Sequence, residues 1–218
     1  MPRNDESRLG IQDKGENPPI QDQKSPLSFV IPTEFVELPT RGRFYPSDHP
    51  LHNVECMEIR YMTAKETDIL TSKSLLKKGI AIDRMLENLF VDKNIKAPQL
   101  FVGDKNALII AARISGFGSL YEAQFTCGNC AGVTEHSFDL NDVEVKKVDE
   151  NIQFSESGTF FIKLPKTEVV AECRLLTGED EKYLAAAQDK KQKLKLPDSA
   201  LTDQYKRIVV SLNGVEER

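Results

Sequence analysis

The chain has 218 residues, with 29 Lys and Arg against 34 Asp and Glu, a net charge of -5 and a pI near 5.4. That balance opposes nucleic-acid binding, which draws its affinity from cations neutralising phosphates. With 39% hydrophobic and 29% charged residues the chain can bury a proper core. Its longest apolar run, Ala107 to Ala112, is too short to span a membrane, so no membrane association is expected. The polar start Met1 to Glu6 has no apolar stretch behind it and reads as non-secretory, which implies a reducing compartment that favours thiols or metal ligation over disulfides.

Residues 1–27 are dominated by Asn, Asp, Glu, Gln, Lys, Pro, Ser and Gly and read as a disordered tail, lacking the aliphatic surface that would offset chain entropy. Residues 28–53 turn apolar but are cut by Pro32, Pro39, Pro46 and Pro50. They read as an extended arm whose Phe29, Val30, Ile31, Phe35, Val36, Phe44 and Tyr45 seek burial against a partner, since the prolines disfavour backbone pairing.

An α+β region follows, divided into a first unit, 54–145, and a second, apparently incomplete unit, 146–218. Strand 54–62 leads into helix 64–77, and Gly79 separates that from helix 80–91. A third helix opens at Gly103-Asp104, and because Ala107 to Ile114 are apolar on nearly every side it is expected to lie centrally. Gly116-Phe117-Gly118 closes it. A second hairpin is expected from strands 159–164 and 168–176, then helices 178–192 and 199–212. Basic clusters at Lys73, Lys77 and Lys78 and at Lys190, Lys191, Lys193 and Lys195 fit helix C-terminal ends.

Between the third helix and that second hairpin, Tyr121, Ala123, Phe125 and Cys127 alternate with Glu122, Gln124 and Thr126, and Thr134, His136, Phe138 and Leu140 resume the pattern. This is a half-buried β-hairpin with Cys127-Gly128-Asn129-Cys130 at its tip. Such a pair supplies two of the four ligands of a tetrahedral zinc site. A thioredoxin-like role fits poorly, because that motif opens a helix and this one closes a strand. Cys56 and Cys173 sit alone in apolar strand-like runs and read as small hydrophobes. Cys173 and His136 are the weaker candidates for further zinc ligands.

Thr63-Ala64-Lys65-Glu66 and Thr177-Gly178-Glu179-Asp180 both read as capping boxes after a strand, and each is followed by a second amphipathic helix: Ile82, Met85, Leu86 and Leu89, then Tyr205, Ile208, Val209 and Leu212. This grammar suggests a weak tandem duplication of strand-helix-helix-helix-hairpin units, chance likeness of two strand-to-helix junctions being the alternative. Aligning Arg84 with Arg207 places the second hairpin, a source of two more zinc ligands, about thirty residues past Arg218. The catalytic inventory is thin, with no Gly-x-Ser-x-Gly, Walker loop or His-Glu-x-x-His, and three His in all. The chain is expected not to be an enzyme.

Five phrases in order carry a resemblance: Leu38 to Pro46, Tyr61 to Ser72, Val102 to Asn106, the Cys127/Cys130 pair, and Leu175 to Glu181. Over most of residues 34–212 they resemble the baseplate hub proteins of contractile-tailed, T-even-like bacteriophages. Members of such a family often carry a second Cys-x-x-Cys toward the C-terminus, which this sequence lacks. The resemblance implies a structural protein of the tail baseplate that takes part in its assembly. Implied partners are hub and wedge subunits and copies of itself, in the host cytoplasm during assembly and then in the virion. A hub assembly chaperone absent from the finished particle is the alternative, and a zinc-ribbon regulator acting on nucleic acid is a third reading.

Overall fold

A computed structural model describes residues 32–143, 152 and 154–216. The expected tail 1–27 and the arm residues Phe29, Val30 and Ile31 lie outside the described residues.

The described chain is α+β and opens with an antiparallel pair, β1 (Thr33–Glu37) against β2 (Cys56–Arg60), in the register Phe35 to Glu58. Residues 33–53 are therefore not an arm awaiting a partner. The prolines flank β1 instead of interrupting it, so its ladder forms. The connecting loop turns inward: Leu38, Phe44, Tyr45 and Leu51 are at most 4% exposed and belong to the core. Gly42 makes the turn possible, with φ +70° and the Leu51 carbonyl oxygen only 2.4 Å from where a Cβ would stand, so no side chain fits.

From β2 the chain enters α1 (Ala64–Thr71), α2 (Lys73–Lys77) and α3 (Ala81–Leu89). The expected helix 64–77 is thus two pieces, because Ser72 takes an extended ψ of 109°. Helix α3 buries Ala81, Met85, Leu86 and Leu89 on one stripe, each large side chain contributing about 1.5–3 kcal/mol. Phe90 then bridges back to Ile59 of β2. Helix α4 (Val102–Phe117) ends at Gly118 as expected. It is less central than its composition suggests: Leu108 and Ala112 are buried, while Ile110 and Ile114 are half-buried and Phe117 is exposed.

After the hairpin β3 (Leu120–Thr126) and β4 (Val133–Asp139) comes a four-stranded antiparallel sheet in sequential order: β5 (Phe160–Lys163), β6 (Val170–Cys173), β7 (Val209–Leu212) and β8 (Val215–Glu216). Helices α5 (Gly178–Lys193) and α6 (Ala200–Ile208) lie between β6 and β7. The expected helix 199–212 stops at Ile208. Its last residues, Val209 to Leu212, begin with two β-branched valines and pair with β6 as a strand instead.

Two polar networks fix these elements. Asp104, fully buried in the first turn of α4, accepts from the Thr40 backbone N–H at 3.0 Å, the Thr40 hydroxyl at 2.6 Å and the Tyr45 hydroxyl at 2.9 Å. The Tyr45 oxygen in turn accepts from the Phe101 N–H at 3.1 Å. Burial pushes the Asp104 carboxyl up against the opposing pull of these donors, and burial, followed by the Asp104 charge, pushes Tyr45 up as well. In the second network, Lys105 of α4 pairs with Asp83 of α3 at 3.0 Å and with Glu181 of α5 at 3.6 Å, while Lys182 also pairs with Asp83.

Candidate assembly interface

Both expected capping boxes form. The Glu66 carboxylate accepts from the Thr63 N–H at 2.7 Å, and the Asp180 carboxylate accepts from the Thr177 N–H at 3.1 Å. In each case a later helix reaches back to the capping carboxylate, Asn88 of α3 to Glu66 and Arg207 of α6 to Asp180 at 3.5 Å. Arg174 adds two hydrogen bonds to Asp180 at 2.9 and 2.7 Å. Burial raises the Asp180 pKa, but the hydrogen bonds from Arg174 and Thr177 outweigh it and hold the group below the usual carboxylate range. These carboxylates are committed to helix starts.

The largest uncommitted feature is the β3–β4 ribbon. It pairs with no other strand among the described residues. Its register sets Tyr121 opposite Phe138, Ala123 opposite His136 and Phe125 opposite Thr134, so these six side chains share one face. Phe125 and Phe138 meet edge to face with centroids 6.1 Å apart, and the His136 ring lies 4.4 Å from Phe138. The opposite face carries Glu122, Glu135 and Asp139, with the Gln124 amide donating to Glu135 at 2.7 Å. The expectation of a half-buried ribbon does not hold. Both faces are open, and Tyr121 and Phe125 are about half exposed, at 49% and 51%. An isolated two-stranded hairpin is marginal in water. This one is braced at its base, where the Arg113 guanidinium donates to the carbonyls of Gly118 and Leu120 at 2.7 and 3.2 Å and lies over the Phe117 ring.

At the tip, the Cys127 N–H donates to the Gly132 carbonyl and the Ala131 N–H to the Cys127 carbonyl, both at 2.9 Å. Backbone hydrogen bonds from Cys130 and Asn129, then the Cys130 side chain, hold the Cys127 thiol below its usual range. Both tip cysteines are exposed. Cys173 is buried in β6 between Phe160 and Val209, and burial, then the Glu172 charge, pushes its thiol up. His136 sits on the ribbon's aromatic face. Among the described residues no three His, Cys, Asp or Glu side chains gather where a metal ion would be held. Of the described residues expected to bind a partner, Val36, Phe44 and Tyr45 are spent in the chain's own core, and Phe35 is exposed, at 72%.

A second surface has no sequence signature. The loop 39–44, the start of α4, and helices α5 and α6 enclose an open groove of about 890 Å3, lined by Phe44, Phe101, Phe160, Leu175, Leu184 and Ile208. Beyond it, Tyr183 and Tyr205 stand more than half exposed, and the Arg207 guanidinium covers the Tyr183 ring at 3.9 Å.

A family model described as the T4 bacteriophage base plate protein matches residues 51–167, more than half of the chain. The chain belongs to that family. The match takes in β2, the four helices α1 to α4 and the whole Cys-tipped ribbon, and ends in the turn between β5 and β6. Comparison with curated proteins and with solved structures gives no match. Membership makes this a phage baseplate protein, which implies association with other baseplate components. No helix among the described residues of this baseplate protein is long and apolar enough to cross a membrane.

Proposed function

We propose that this baseplate protein is a non-catalytic structural component of the hub region, built into the baseplate during assembly through its β3–β4 ribbon. The supporting observation is that ribbon's exposed aromatic face. A braced hairpin that leaves Tyr121, Phe125 and Phe138 in water gains its missing burial when another hub protein lays an apolar surface over them. The ribbon from Leu120 to Asp139 contains no Lys or Arg, so it offers nothing to neutralise phosphates, which weighs against a nucleic-acid role. The two arrangements in which a strand leads into helices and the chain then pairs back on that strand, β2 to Phe90 through three helices and β6 to β7 through two, support reading the chain as a weak internal duplication.

The test is complementation of a phage lacking this protein by a Phe125→Lys, Phe138→Glu double variant. These side chains lie outside the core, so the purified variant should keep the wild-type unfolding midpoint while tails fail to assemble. Normal assembly with the variant would remove the ribbon from the account. A hub assembly chaperone, the alternative, would act through the same face and then leave the particle.

A further inference from the structure

We propose that Cys127 and Cys130 bind zinc as half of a tetrahedral four-cysteine site whose other half is the same pair in a second copy of this chain. The tip is shaped for a metal and not for packing. Its backbone closes through the two 2.9 Å bonds between Cys127, Ala131 and Gly132, Ala131 takes a left-handed φ of +54°, and Gly132 leaves room for the Cys130 sulfur, which lies 3.3 Å from where a Cβ would stand. Both thiols face solvent with no core to serve. Zinc requires four ligands, normally Cys or His in a closed structural site.

The remaining Cys and His residues among these 218 do not gather at the tip. Cys173 is 6% exposed within its sheet, and Cys56, though exposed, lies on the separate β1–β2 pair and does not gather with the tip thiols. The His49 ring stacks on Tyr45 and its Nδ1 accepts from the Leu51 N–H at 3.1 Å, and His52 Nδ1 lies 2.6 Å from the Tyr45 carbonyl oxygen. His136 is three residues along β4 from Val133, roughly 10 Å at strand rise, and its ring packs on Phe138, away from the tip. Residues 1–31, 144–151, 153, 217 and 218 contain neither Cys nor His.

A second copy supplies the missing pair in the same geometry, related by a two-fold axis through the metal. Charge permits the approach: Thr126 to Val133 carries no ionisable group other than the two thiols, so two tips meet without like-charge repulsion. Each bound ion displaces four thiol protons to solvent, so binding weakens as pH falls. The site occupies the end of the ribbon and leaves the aromatic face to other partners.

The test uses the full chain, purified in a non-thiol reductant and loaded with Zn2+ or Co2+ alone. Metal analysis with light scattering should give one ion per two chains and a mass twice 24.5 kDa, returning to the monomer with a chelator. The cobalt form should show the intense thiolate charge-transfer and tetrahedral d–d bands of four sulfurs. Cys130→Ser should abolish both metal and dimer without changing the unfolding midpoint, because the tip is outside the core. A chain that binds no metal, one ion on a monomer, or a metal-bound dimer that survives Cys130→Ser would each overturn the proposal.

Discussion

Removing the Asp104 carboxylate is predicted to be among the most damaging single changes in this protein. Its oxygens receive three hydrogen bonds from Thr40 and Tyr45, all between side chains or backbone at most 5% exposed. Asp104→Ala leaves the Thr40 N–H, the Thr40 hydroxyl and the Tyr45 hydroxyl without their acceptor. Each orphaned buried group costs about 1–3 kcal/mol, and relaxation recovers part of that, so the total loss is about 3–5 kcal/mol. For a chain of this size that lowers the thermal midpoint by on the order of 10 °C. Tyr45→Phe, which orphans only the Phe101 N–H and thins the Asp104 shell, should cost about 1–3 kcal/mol. The double variant should cost less than the sum of the two by at least about 0.5 kcal/mol, because the carboxylate and hydroxyl act on each other. Urea unfolding followed by circular dichroism measures all three. A loss under about 1 kcal/mol for Asp104→Ala, or strict additivity of the pair, would refute the claim that this buried carboxylate anchors loop 38–51 to helix α4.

Gly158 holds φ +79° with the Phe44 carbonyl oxygen 2.0 Å from where a Cβ would sit, so Gly158→Ala should lower the unfolding free energy by more than the roughly 1 kcal/mol of a backbone effect alone, as read by urea titration. Deleting residues 1–50 removes β1, Leu38, Phe44 and Tyr45 together and should leave a species without a cooperative unfolding transition; a soluble, cooperatively folding remainder would show that this segment is dispensable to the core. Asp83 and Asp180 have folded pKa values below their unfolded ones: burial opposes this in both, and hydrogen bonds from Lys182 and Lys105, and from Arg174 and Thr177, outweigh it. Their contribution to stability is therefore full above the unfolded carboxylate range near pH 4 and is lost as pH falls through the folded values, so the stability gap between wild type and Asp180→Asn should narrow from pH 5 to pH 3 in calorimetry.

The elements with local causes are legible in the sequence. Thr63 with Glu66 and Thr177 with Asp180 announce helix starts because a capping box is satisfied within four residues, and Gly118 marks a helix end for the same local reason. What depends on distant partners is not. Phe44 and Tyr45 look like contacts awaiting another subunit, because nothing within residues 28–53 reveals that Asp104, some sixty positions away, draws the loop inward. Val209 to Leu212 continue a helical pattern as well as a strand one, and β6 decides between them. The ribbon's alternation announces a hairpin correctly and its burial wrongly, since period two reports that one face is apolar without reporting what covers it.

The central claim, a structural baseplate component retained in the particle, is tested most directly by quantitative mass spectrometry of purified virions. The account predicts peptides of this chain at near-stoichiometric ratio to other baseplate proteins. Strong expression in infected cells with no such peptides in the finished virion would contradict it and leave the assembly chaperone standing.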